Sequence, residues 1–83
     1  MDKNEFEKLE VINDFINHIK QKNYSNNTLV SYINDLFYFY NFINKNLTKV
    51  KEEDIRDYLE YLNLKKENPT SVRRKISTFK SFY

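Results

Sequence analysis

The 83-residue chain contains no cysteine, no glycine and a single proline. Without thiols it can build neither a disulfide framework nor a thiolate metal site. Without glycine it has few positions that take a positive φ cheaply, and no glycine-rich loop to wrap a phosphate. One proline offers few forced breaks. These absences favour long helices joined by brief loops over a turn-rich sheet. The only histidine, His18, has no partners nearby in the chain for a metal site or a catalytic triad. Asp54 and Asp57, or Glu53 and Asp57, sit three or four apart at a helix start, where carboxylates partner the helix dipole rather than form an acid/base pair. Catalysis by this chain alone is therefore disfavoured, and no metal or other cofactor is expected. No apolar run approaches the ~20 residues that span a bilayer, and the opening MDKNEFEKLE is too charged for a signal peptide. The expected compartment is the cytosol.

Aromatic side chains are abundant, with seven Phe and seven Tyr making up 17 % of the chain. Residues 1–83 suffice for one domain, and a domain this small buries only about 60–65 % of the surface its unfolded chain exposes. Large rings supply much apolar area per residue, which suits an economical core. The net charge of +2 conceals an uneven distribution. Residues 1–19 sum to −3, residues 20–50 to +3, residues 51–64 to −3 and residues 65–83 to +5. Such alternation, ending on a basic segment, points to a polyanionic partner.

Periodicity and caps predict four helices in an all-α bundle. The first covers about 5–22, with Leu9, Ile12, Phe15, Ile16 and Ile19 as its apolar stripe. The second covers about 25–45, capped by Ser25. Its stripe is Leu29, Ile33, Leu36, Tyr40 and Ile43, and Phe37, Tyr38 and Phe42 make it apolar almost all round, so it is the expected central helix. The third covers about 52–65, with Glu52, Glu53 and Asp54 at its dipole-positive start and Ile55, Tyr58, Leu59 and Leu62 inside. The fourth, about 69–83, opens on Asn68-Pro69. Val72, Ile76, Phe79 and Tyr83 form its stripe, and Thr70, Arg73, Arg74, Ser77, Thr78 and Ser81 the opposite side. That stripe runs undiminished to Tyr83, which predicts that the chain is a fragment of a longer protein.

The fourth helix carries the most informative chemistry. Arginine and lysine neutralise phosphates and release counterions, while Ser and Thr add short hydrogen bonds to the sugar-phosphate chain. Thr70, Ser71, Arg73, Arg74, Ser77, Lys80 and Ser81 offer that mixture on one helix able to lie in a major groove. The start of the second helix is the other candidate. There Asn26, Asn27 and Thr28 follow Ser25 with free amides at a positive dipole end, and Lys20 and Lys22 lie just upstream. The rings of the second helix sit at core spacing, which argues against a base-stacking platform, with Tyr38 and Phe42 as exceptions facing a neighbour.

In order and spacing these residues resemble the N-terminal core-binding domain of tyrosine recombinases, the Xer and phage-integrase group. The matching stretches are Ser25-Asn26-Asn27-Thr28, Tyr32, Asp35-Leu36, Phe39-Tyr40 and Phe42-Ile43; then Leu47-Thr48-Lys49-Val50 through Asp54-Ile55 and Tyr58-Leu59; then Ser71 through Tyr83. The similarity covers about 70 residues. Lys51 departs from it, standing where the family has a Thr or Ser cap, which weakens that helix start, and Lys75 replaces an arginine.

The resemblance implies a four-helix SAM-like orthogonal bundle forming half of a clamp on duplex DNA, with the second and fourth helices facing the major groove. It also implies that cleavage belongs to a C-terminal catalytic domain outside this chain. Other recombinase protomers would be partners in a full-length assembly, while the fragment alone is expected to be a monomer. A different class of function, a helical protein-interaction module with no DNA role, is the alternative, and salt-dependent duplex binding discriminates between the two.

Overall fold

Every helix but α2, which starts after Leu9, begins at a polar residue, and three of them are followed by a left-handed residue that is not glycine. The computed structural model describes residues 2–83. The helices are α1 (Lys3–Glu7), α2 (Glu10–Gln21), α3 (Asn26–Ile43), α4 (Glu52–Leu64) and α5 (Pro69–Phe82), with a 3-10 turn at Leu47–Lys49 between α3 and α4. Among the described residues there is no strand.

The Ser25 hydroxyl accepts the Thr28 N–H at 3.2 Å, and Asn68 Oδ1 accepts the Thr70 N–H at 2.8 Å. At the start of α4 the cap is supplied in reverse. Asp54 accepts the Lys51 N–H at 2.8 Å, and its own N–H donates to the Lys51 carbonyl at 3.0 Å. With no side-chain cap hydrogen bond from Lys51, that helix start is closed by Asp54 instead. Asn23, Asn44 and Lys66 take positive φ of 58°, 52° and 61° beyond the ends of α2, α3 and α4. Asparagine tolerates this region better than other residues with a Cβ. Lys66 is held there by a double closure, Lys66 N–H to the Asn63 carbonyl and Glu67 N–H to the Leu62 carbonyl, the pattern that satisfies the last orphan carbonyls of a helix.

The single helix expected over 5–22 is two helices, so the described residues form five rather than four. The break falls at Leu9, which is extended at φ −61°, ψ 136°. It lets α1 fold back and place Phe6, fully buried, 5.3 Å from Phe37 and 5.5 Å from Tyr40 between ring centroids. Helix α3 is central, packing against all four other helices. Around its Ile33, Leu36 and Phe39 gather Ile12, Phe15 and Ile19 of α2, Leu47 of the 3-10 turn, Tyr58 and Leu62 of α4, and Phe79 of α5.

Helix α5 is rotated from the expected orientation. Its most buried residues are Lys75, Thr78 and Phe79. Phe82 packs on Phe15 at 5.2 Å, whereas Tyr83 stays half exposed. Thr78, expected outside, is fully buried. The cause is a charge on the neighbouring helix: Asp35 of α3 is 1 % exposed and draws polar residues of α5 inward.

Candidate nucleic-acid interface

Thr70, Arg73, Ser77 and Lys80 are exposed. Their spacings of three, four and three align them along one side of α5. Arg74 stands beside that line, at the seam with α3. There its Nε and Nη2 donate to the two carboxylate oxygens of Asp35, each at 3.0 Å. The guanidinium is held above the ordinary arginine pKa by that hydrogen bond first, which burial opposes and the charges of Asp35 and Glu67 reinforce. Its side chain nevertheless remains 43 % exposed.

Lys75 and Thr78 complete the seam from inside. Lys75 Nζ donates to Asp35 Oδ1 at 3.0 Å, and the Thr78 hydroxyl lies 3.1 Å from Oδ2 and 3.0 Å from the Arg74 carbonyl. Part of the +5 charge of the last segment is therefore internal, since Lys75 points inward and Arg74 shares a counter-ion. Sequence reasoning did not single out Asp35, Lys75 or Thr78 as a cluster. A signal was available, because Asp35 is the only acid in the largely apolar stretch 23–44, and a buried carboxylate requires partners.

Ser71 is half-buried, and Ser81 lines a cleft with Asp14 and His18 of α2 and Thr48. Ser81, four residues on from Ser77, is half-buried at the edge of the row of Arg73, Ser77 and Lys80.

At the start of α3, Asn26 and Asn27 are exposed, whereas the Thr28 hydroxyl is 2.9 Å from that of Ser25 and takes part in the cap. Lys20 and Lys22 are exposed at the end of α2. A run of four rings joins this corner to the end of α5: Tyr24 to Tyr32 at 6.2 Å, Tyr32 to Phe15 at 6.4 Å and Phe15 to Phe82 at 5.2 Å. Among the described residues no hydrogen bond or ion pair crosses directly from Lys20 or Lys22 to α5. The two candidate segments are linked through rings and through the Asp35 seam.

A second exposed feature lies between α3 and α4. Tyr38, Phe42, Tyr61 and Leu64 are 60, 40, 42 and 76 % exposed, with Phe42 and Tyr61 rings 4.9 Å apart and Lys65 Nζ 5.7 Å from the Tyr61 centroid. The two aromatics set apart as possible exceptions to the core, Tyr38 and Phe42, are both in this patch. Among the described residues no group of three His, Cys, Asp or Glu converges as metal ligands, and no helix is long and apolar enough to cross a membrane.

Residues 12–83 match the model of the phage integrase, N-terminal SAM-like domain family. Similar curated proteins include the tyrosine recombinase XerC of Thermodesulfovibrio yellowstonii, 44 % identical over 73 residues, which are 87 % of this chain and 24 % of that protein. The tyrosine recombinase XerC of Staphylococcus haemolyticus is 41 % identical over 73 residues, covering 83 % of this chain and 25 % of its own. That of Leptospira interrogans is 39 % identical over 79 residues, covering 89 % and 25 %. No solved structure matches significantly. The chain spans about a quarter of the length of the curated relatives it matches.

Proposed function

The chain belongs to the phage integrase N-terminal SAM-like domain family, and from that premise we propose that it grips duplex DNA for a tyrosine site-specific recombinase. The gripping surface is the exposed side of α5, with Thr70, Arg73, Arg74, Ser77 and Lys80 and the half-buried Ser71 and Ser81 at its edges. The corner of Lys20, Lys22, Asn26, Asn27 and Thr28 flanks it. The observation that carries the reading is the alignment of Arg73, Ser77 and Lys80, all exposed, along a helix whose outward side has no acid. Cations and hydroxyls in that arrangement suit phosphates and groove edges. In this reading the domain holds DNA and does not cut it. Strand cleavage and rejoining belong to a separate catalytic domain, and further protomers assemble around the paired sites. The chain works in the cytoplasm, where its substrate is.

The test is duplex binding as a function of salt, read by fluorescence anisotropy. With five cations (Lys20, Lys22, Arg73, Arg74 and Lys80) each meeting a phosphate, log K should fall with log salt at a slope of about −4.5. Arg73→Ala/Arg74→Ala should flatten that slope by roughly 2, since each lost phosphate contact removes about one unit. Equal binding by the double variant would rule out the α5 surface.

A second reading follows from the exposed Tyr38, Phe42, Tyr61 and Leu64 patch, which would make the domain a protein-contact module. Association through that patch would be nearly indifferent to salt, because apolar burial carries no counterions.

A further inference from the structure

Asp35 carries more hydrogen bonds than the core requires. Its Oδ1 accepts from Arg74 Nη2 and Lys75 Nζ, and its Oδ2 from Arg74 Nε and from the Thr78 hydroxyl, whose one proton it shares with the Arg74 carbonyl, all within 3.0–3.1 Å. Four donors fill the acceptor sites of an ionised carboxylate. Packing alone does not call for such a cluster, since apolar replacements of buried ion pairs are often neutral or stabilising. Its members differ in one respect that suggests a use. Lys75 is sealed, with its side chain 8 % exposed, whereas Arg74 keeps 43 % open.

Asp35 engages the side edge of the Arg74 guanidinium, Nε and Nη2. A guanidinium has five N–H donors in a fixed plane, so three remain: two on Nη1 and one on Nη2. One from each Nη lie parallel across the end of the group, the spacing that accepts two oxygens of a phosphate. With two cations on one carboxylate, the cluster also keeps one positive charge. Fixing Arg74 thus leaves its attraction for an anion intact.

We propose that Asp35 is a positioning residue, holding Arg74 so that its free end-on pair of N–H groups takes one phosphate of the duplex, with Lys75 and Thr78 locking Asp35 in turn. The inference rests on the DNA-binding role of α5 and assigns Arg74 a task different from that of Arg73. Arg73 is exposed and, among the described residues, has no ion pair. It meets DNA as a mobile cation and must be ordered on binding. Arg74 is ordered in advance, which removes that cost from association.

Two arms test this with the full chain. In the first, Arg74→Lys and Arg73→Lys are titrated against two duplexes of unrelated sequence at one low salt concentration. Lysine keeps the charge and loses the fork. Arg74→Lys should weaken binding roughly 5–10-fold on both duplexes, the scale of ordering one long side chain, and Arg73→Lys about twofold or less. In the second arm, which needs no variant and so does not depend on one folding, the arginine side chains are followed by NMR. The free protein should give Arg74 separate, slowly exchanging Nη signals that shift when duplex is added, while those of Arg73 are averaged. Equal losses for the two lysine variants, or averaged Arg74 signals in the free protein, overturn the proposal while leaving DNA binding in place. A loss confined to one duplex overturns the phosphate assignment in favour of a base edge. Absence of any duplex binding by the unaltered chain removes both the proposal and the reading beneath it.

Discussion

At the scale of single residues, the placement of Asp35 decides which way α5 faces. Thr78 measures that effect. Its hydroxyl has two acceptors, Asp35 Oδ2 and the Arg74 carbonyl, and it is fully buried. Thr78→Val keeps the shape but removes a donor from a buried carboxylate. It should lower stability by about 1–3 kcal/mol in chemical denaturation, the cost of an unmade hydrogen bond to a charged group. A second consequence concerns the tyrosines. Tyr58 is 3 % exposed, and burial, followed by the charges of Asp35 and Glu67, pushes its pKa up to about 12. Tyr83 is also pushed up to about 12, by desolvation and then by the Asp54 charge. Its hydroxyl donates to the Leu47 carbonyl at 3.0 Å. Both groups hold their proton more tightly folded than unfolded, where the ordinary value is 10.0. The stability they contribute is complete below pH 10 and is lost as pH rises towards 12. Phenolate absorbance should show a late step towards pH 12, and Tyr58→Phe and Tyr83→Phe should each remove part of it.

At the scale of elements, legibility followed the reach of the signal. Ser25, Asn68-Pro69 and the acids Glu52–Asp54 mark helix starts through local chemistry, and the structure uses all of them. The break at Lys8–Leu9 has no such mark. Neither residue is glycine or proline, and the apolar spacing passes through Leu9 without interruption. The break exists because Phe6 finds a place on α3, a tertiary gain that local pattern does not contain. The rotation of α5 was hidden for the same reason: Lys75 and Thr78 belong inside only because Asp35, about forty positions away, meets them. So the candidate cations were visible from composition, but the double engagement of Arg74 was not. Helix α1 supplies the prediction at this scale. Five residues cannot hold a helix in water unaided, so Phe6 must anchor it. Phe6→Ala should cost about 3–5 kcal/mol and release hydrogen-exchange protection in residues 3–7 before that of α3. Equal protection in the variant would show that α1 is held by something other than this ring.

At the scale of the whole molecule, charge is sorted by helix. Glu52, Glu53, Asp57 and Glu60 are exposed on α4, and Glu5 and Glu10 on the first two helices, while the exposed part of α5 carries Arg73, Arg74 and Lys80. A polyanion should therefore meet the molecule in one orientation, with α5 towards it and the acids of α4 turned away, and like-charge repulsion would penalise the reverse. The patch of Tyr38, Phe42, Tyr61 and Leu64 can stay clear of DNA in that arrangement and remain open to a protein neighbour. The most direct measurement is an amide chemical-shift map of the 15N-labelled chain during titration with a duplex at low ionic strength. Shifts should concentrate at Thr70–Ser81 and around Asn26–Thr28, with α4 quiet. Unmoved amides throughout, or shifts centred on α4, would contradict the account.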